Sequence, residues 1–457
     1  MAMGSAFPRA FVPLAAAGAL GVTLPALAQV AAAGGHPASV PLRGTATVVR
    51  DDIRYTITDQ RLGARQLVRE CAGNVCTGTW FDGERLFAFG INGESYPASA
   101  QATRDQRTLA AIASLRFAEP DFAGTVEAAG PGSFAVRAAG GTLMQVSIDP
   151  RTSLPAAASG PAGSPSVSFG PPQRAGGAAM LSPLRFDRVE RDNEPLVPPA
   201  GPRIRFDPPL ALAAGPAGHA LVVPCRLERL ALRCLFDTGS TPSSITLTVA
   251  ERLGREPEGQ LTVRSFETYV TGTVDAGPLT IANANVAPLH FEVLPSTRDR
   301  GYDVVVGSDI LSAMRLDVNA STHTLRLGPP SAAPRGTTIP LTFEGGLPYV
   351  ALTVANQTQA ALFDTGDDAL VAIGYDWYRQ HADFPVSRAG NVAGVVGTSD
   401  TLVGQALDAR AGPLDLGATE ITVVRSRHDG HVGIGLAARC AILGIDLHEA
   451  RLDCVPH

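Results

Sequence analysis

The sequence contains no lysine: all 37 basic residues are arginine. That absence excludes Schiff-base chemistry and any mechanism that needs an ε-amino group. Taken with the abundance of Ala, Gly and Pro, it points to a GC-rich bacterial genome. No Cys or His cluster has zinc spacing, so neither a metal nor another cofactor is expected. A net charge of −6 leaves no basic footprint, which argues against a nucleic-acid partner. Beyond the N-terminus no apolar run is long enough to span a bilayer. What remains, 45% hydrophobic and 18% charged residues, is the composition of a folded chain. At 457 residues it is too long for one core, so several domains are expected.

The N-terminus has the pattern of an export leader. Arg9 gives a weakly positive start, residues 10–24 are mostly apolar, and Ala26-Leu27-Ala28 supplies a small-x-small site before Gln29. Residues 1–28 are therefore read as a signal peptide. The stretch is short and broken by Pro13 and Pro25, which disfavours a membrane anchor, and no cysteine follows the site to carry a lipid. A periplasmic or secreted location is expected, with no transmembrane segment after cleavage. Six cysteines suit such an oxidising compartment. Of about 15 possible connectivities, sequence proximity favours Cys71 with Cys76, Cys225 with Cys234, and Cys440 with Cys454.

Residues 40–190 read as a first unit of short strands. Asp82-Gly83 and Asn92-Gly93 are turn signals, and residues 102–117 have helical spacing. Pro/Gly-rich stretches follow at 155–172 and 193–202; the second is the better boundary, and 191–204 is taken as a linker. Beyond it the chain repeats itself, over 205–330 and 336–457. Each repeat opens with a hairpin pattern ending in Leu-Phe-Asp-Thr-Gly, at 235–239 and again at 362–366. Each then reaches an apolar-apolar-Gly motif, read as Val305-Val306-Gly307 and Ile442-Leu443-Gly444, and a strand containing Arg-Leu-Asp. Two copies argue for duplication into two facing lobes rather than a longer array.

One Asp-Thr-Gly would be an ordinary tight turn. Two, at the same place in each repeat, point to paired chemistry. Carboxyls of Asp237 and Asp364 brought within hydrogen-bond reach cannot easily both ionise, because like charges repel in a low-dielectric cleft. One then stays protonated and the other charged, as in the acid pair of aspartic proteases. The charged member takes a proton from water, which attacks a carbonyl, and the neutral member donates to the oxyanion. Thr238 and Thr365 suit hydrogen bonds between the loops, and Gly239 and Gly366 let the backbone fold tightly beneath each carboxyl.

The motifs LFDTGS and LFDTGD, with the apolar-apolar-Gly endings, resemble the retropepsin-like aspartic peptidases, over residues from about 205 to the C-terminus. The resemblance implies a mainly β fold: two β-barrel lobes forming a pseudo-dimer around a cleft, acting on protein or peptide. A chain carrying both lobes needs no partner subunit to build its site, so a monomer is expected. The segments TWFDGERLFAFGING and GGTLMQVSIDPRTSLP resemble a LolA-like domain, which implies an α+β antiparallel half-barrel ahead of the lobes. One departure stands out. Asp367 follows the second DTG where the family has Ser, Thr or Ala; Ser240 in the first lobe fits. A third carboxylate there would oppose ionisation of the pair, unless it points to solvent.

Each lobe should carry a hairpin able to close on substrate. The candidates are residues 269–274, with Tyr269 and Gly272, and 394–398, with Gly394 and Gly397; ordinary surface hairpins are an equal alternative. His428 and His431 read as a solvated loop rather than a metal pair. Asp309 and Asp446 read as structural repeat positions. Ser243 and Ser244 lack a neighbouring base and read as local hydrogen-bonding residues. Two rivals to a peptidase remain open: an inactive relative that binds peptides in its cleft, kept alive by Asp367, and a lipid or lipoprotein binder working through the first unit.

Overall fold

The computed structural model describes residues 23–457 except 36–39, 51–52, 176, 193, 209–210, 214–218, 265–267, 296–300, 332, 383, 394–397 and 425–429. Most of the expected leader lies outside the described residues. Its end joins a helix, Thr23–Gly34, that runs through the expected cleavage point at Ala28.

Alternating burial dictates a mainly β architecture. Seven antiparallel strands form a half-barrel sheet in the order Arg188–Arg191, Leu42–Arg50, Ile53–Leu62, Arg65–Ala72, Val75–Phe81, Leu86–Phe89, Ser95–Pro97. The Asp82-Gly83 turn is built as its chemistry requires: Asp82 Oδ1 accepts from the amides of Glu84 and Arg85 at 2.7 and 2.6 Å, and Gly83 has φ 104°. The helix of this unit spans Ala100–Ala113, capped by the Ser99 side chain, and a short 3-10 turn, Arg116–Ala118, completes the expected segment. A five-stranded sheet follows. It includes Leu154–Ser159 and Ser166–Ser168, so the first Pro/Gly-rich stretch contributes strands to this unit. Pro155 is accommodated at an irregularity where the register shifts before Ala157. The apolar residues of this unit, among them Phe117, Val136, Met144, Val146 and Leu154, are buried together with Val30 of the first helix. They fill a core rather than line an open groove. Residues 194–203 form no helix or strand.

The same sequence of pairings then occurs twice. In the first repeat, Leu221–Leu227 and Leu230–Phe236 form a hairpin, and the second of these strands pairs in parallel with Val304–Val306. Ser244–Thr246 lies antiparallel to Val304–Val306 and parallel to Leu289–Leu294. In the second, Leu347–Val354 and Gln357–Asp364 form the hairpin, and Gln357–Asp364 pairs in parallel with Gly430–Gly433. Val371–Gly374 lies antiparallel to Gly430–Gly433 and parallel to Thr419–Val424.

These pairings correct the reading of the second ending. Val306 stands opposite Phe236, which sets Gly307 beside Asp237; in the second repeat Gly433 stands opposite Asp364. The counterpart of Val305-Val306-Gly307 is therefore His431-Val432-Gly433. Ile442-Leu443-Gly444 belongs instead to Ile442–Asp446, which forms a hairpin with Arg451–Val455. A histidine stands where the pattern asks for its first apolar residue, so the motif alone selects the other strand, and the strand pairing distinguishes them.

The two repeats share a six-stranded sheet. Its centre is the antiparallel pairing of Arg315–Asn319 with Ile442–Asp446. The Arg-Leu-Asp motifs meet here. Arg315 pairs with Asp317 at 2.9 Å and with Asp453 at 2.8 Å, and Arg451 pairs with Asp453 at 3.3 Å. Asp453 is fully buried, so these cations are what make its charge tolerable.

The six cysteines form three disulfides, Cys71–Cys76, Cys225–Cys234 and Cys440–Cys454, as expected. Among the described residues no helix is long and apolar enough to cross a membrane.

Candidate active site

Each Asp-Thr-Gly closes a strand buried on its inner face. Leu230–Phe236 delivers Asp237, and Gln357–Asp364 delivers Asp364 at its last position. A tight turn follows in both: the Ser240 amide donates to Asp237 O, and the Asp367 amide to Asp364 O, each at 3.2 Å.

The turns are tied to each other by four hydrogen bonds related by a twofold pattern. Thr238 Oγ1 donates to Phe363 O at 2.6 Å and accepts from the Thr365 amide at 3.0 Å. Thr365 Oγ1 donates to Phe236 O at 2.8 Å and accepts from the Thr238 amide at 3.0 Å. Both threonines are fully buried. Away from water, each hydroxyl satisfies one orphan carbonyl and one orphan amide of the opposite loop.

This lattice brings the carboxyls together. Asp237 Oδ1 accepts from the Gly239 amide at 2.9 Å, and Asp364 Oδ1 from the Gly366 amide at 2.8 Å. The glycines are required by space, not by a left-handed backbone, since neither is among the positive-φ positions. A Cβ on Gly239 would lie 2.5–2.7 Å from the carboxyl atoms of Asp364, and one on Gly366 would lie 2.8–3.0 Å from those of Asp237. Each carboxyl thus rests over the other loop's glycine. The Asp237 carboxyl is held well above the usual carboxylate range, first by burial and then by the charge of Asp364 and a hydrogen bond shared with it.

Asp367 does not point freely to solvent. Its side chain is 23% exposed; Oδ1 accepts from the Ala369 amide at 2.9 Å, and Oδ2 lies 3.5 Å from Nδ1 of His431. His431 is not in a solvated loop but on the strand beside Asp364, with a side chain 15% exposed. Sequence reasoning misses it because the apolar-apolar-Gly pattern points to another strand. His428 lies outside the described residues.

The expected hairpins are present as Glu258–Arg264 with Thr268–Ala276, and Val386–Ala393 with Thr398–Ala406. Tyr269 and Gly272 lie on a strand of the first, not at its tip. Tyr269 Oη donates to Glu292 at 2.5 Å, whose carboxyl burial pushes up to about 7. Gly394 and Gly397 lie outside the described residues. Ser243 Oγ donates to Asp309 at 2.5 Å and accepts from the Gly307 amide at 2.9 Å, a bracing role behind the first loop. Asp309 also accepts from Asn92 of the half-barrel unit at 2.8 Å, and Asn92 exchanges two further bonds with the His290 backbone. Asp446 lies by contrast on the shared sheet, 3.7 Å from Arg315, so the two aspartates are not equivalent repeat positions. Among the described residues no group of three or more His, Cys, Asp or Glu could hold a metal.

No family model matches the chain, and no curated protein matches it. Among solved structures it is similar to a retropepsin-like aspartic protease from Rickettsia conorii, at 13% identity and a TM-score of 0.23. That similarity covers 28% of this chain and 95% of the other. At such a TM-score the likeness carries no argument, and the site has to be read from its own geometry.

Proposed function

We propose that this chain is an aspartic endopeptidase whose working groups are Asp237 and Asp364. The observation that carries this reading is the reciprocal threonine lattice that sets the two carboxyls against each other over the opposing glycines. The ionised member takes a proton from a water held between them, and the oxygen bonds to the peptide carbonyl carbon. The neutral member gives its proton to the carbonyl oxygen as negative charge develops there. Collapse of the tetrahedral species breaks the C–N bond, with a proton passed to the leaving amine. Thr238 and Thr365 hold the geometry and take no part in proton transfer.

In this reading residues 205–330 and 336–457 are the two retropepsin-like lobes of a pseudo-dimer, with the cleft over the Asp-Thr-Gly loops. Residues 40–190 are a LolA-like half-barrel, joined through the linker at 191–204. Three disulfides and the leader-like N-terminus favour an exported protein acting on exported protein or peptide. Asp367 favours one second reading, a cleft that holds peptides without cutting them.

The test is incubation with a diverse peptide mixture from acid to neutral pH, with new termini read by mass spectrometry. Cleavage is expected in the parent and lost in both Asp237→Asn and Asp364→Asn. Retained cleavage in either variant would sink the pairing. Peptide retention without cleavage in the parent selects the second reading.

A further inference from the structure

The second repeat differs from the first at two positions that face each other. Ser240 follows the first Asp-Thr-Gly and Asp367 follows the second. On the strand alongside, Val305 stands opposite Leu235, and His431 stands opposite Leu362. Where the first repeat has a serine and a valine, the second has a carboxylate and an imidazole, 3.5 Å apart and mostly out of solvent. An unbalanced carboxylate in that place would work against ionisation of the neighbouring acids.

We propose, resting on the peptidase reading, that Asp367 and His431 form an imidazolium–carboxylate positioning pair that balances charge beside Asp237 and Asp364 and so sets the acid edge of the enzyme's pH range. Neither residue touches the reacting atoms in this role. His431 lies 3.5 Å from Asp367 and also feels the charge of Asp364. Ala372, opposite it on Val371–Gly374, contributes no charge. Tyr349, paired with Leu362 on the next strand over, is pushed up to about 12 and stays neutral. Asp368 is turned to its own contacts, the Ala220 amide and His219. Burial works against a charged His431, yet the hydrogen bond to Asp367 and the charges of Asp364 and Asp367 outweigh it and hold the imidazole above its ordinary value. In turn Asp367 is among the charges that raise Asp237, behind burial and Asp364.

The experiment compares the full-length parent with His431→Gln, Asp367→Ser and the double variant Asp367→Ser/His431→Val, which restores the residues of the first repeat at both positions. Two readouts are used: the pH profile of kcat/KM on a cleaved peptide, and NMR titration of the His431 imidazole. Removing the cation alone moves the acid limb up by about one pH unit, and removing the carboxylate alone moves it down by a similar amount. The double variant returns toward the parent. The imidazole titrates above its ordinary value in the parent and falls in Asp367→Ser. Shifts of the two single variants in the same direction, or an imidazole indifferent to Asp367→Ser, would overturn the pair. If no peptide is cut under any condition, the peptidase reading falls, while the imidazole titration still decides whether the pair exists.

Discussion

Replacing Thr238 by valine tests the lattice on which the site depends, without reference to any substrate. The side chain keeps its shape and loses only the hydroxyl. Two buried partners are then stranded: the Phe363 carbonyl, now bonded at 2.6 Å, and the Thr365 amide, at 3.0 Å. No water is expected to replace the hydroxyl, because the residue is fully buried. Leaving a buried donor or acceptor unsatisfied costs about 1–3 kcal/mol each, so the pair amounts to about 2–6 kcal/mol. Thr238→Ser supplies the control. It retains both bonds and loses one methyl group, worth about 1 kcal/mol. Urea denaturation measures both, and hydrogen exchange at the Thr365 amide reports the local event. The expected order is parent, serine, then valine, with the largest gap between the last two, and Thr365→Val should mirror it. A valine variant within about 1 kcal/mol of the parent, or a serine variant as damaged as the valine one, would refute the reasoning.

Two further outcomes follow from buried charge. Glu292 is raised from 4.5 to about 7, so its contribution to stability is fully present below about 4.5 and is lost as pH rises through 7, a change of about 3 kcal/mol. Glu292→Gln should remove that slope, and urea midpoints at pH 5 and pH 8 that fall equally in both proteins would contradict it. In the shared sheet, Asp453→Asn should cost about 3 kcal/mol by leaving Arg315 and Arg451 short of their common partner. Adding Arg315→Met should recover part of the loss in thermal unfolding, and a double variant no better than the single one would count against the network.

Much of this is legible without coordinates. The Asp-Thr-Gly loops announce themselves by recurring after matched apolar strands, and both turn out to be tied together. The disulfides follow from proximity, since cysteines facing each other across hairpins are neighbours in sequence too: Cys71 stands opposite Cys76 in one register, and Cys225 and Cys234 lie on the two strands of another hairpin. The Asp82-Gly83 turn is local chemistry and is readable as such. The failures are non-local. The second apolar-apolar-Gly motif falls on the wrong strand because the true counterpart, His431-Val432-Gly433, carries a histidine where the pattern asks for an apolar residue, and His431 is lost with it. Sequence credits the glycines of the two loops with backbone freedom, when their role is to leave room for the opposing carboxyl.

The chain of residues by itself determined which side chains alternate in and out, where the turns fall, which cysteines can meet, and that a duplicated acidic loop exists. Those are properties of neighbours along the backbone, set by periodicity and turn chemistry. Only the tertiary structure decided that Thr238 and Thr365 exchange bonds, that Gly433 stands beside Asp364, and that Asp367 meets His431. These contacts join segments separated by tens of residues or more, and which strand lies beside which is a choice made by packing the whole core.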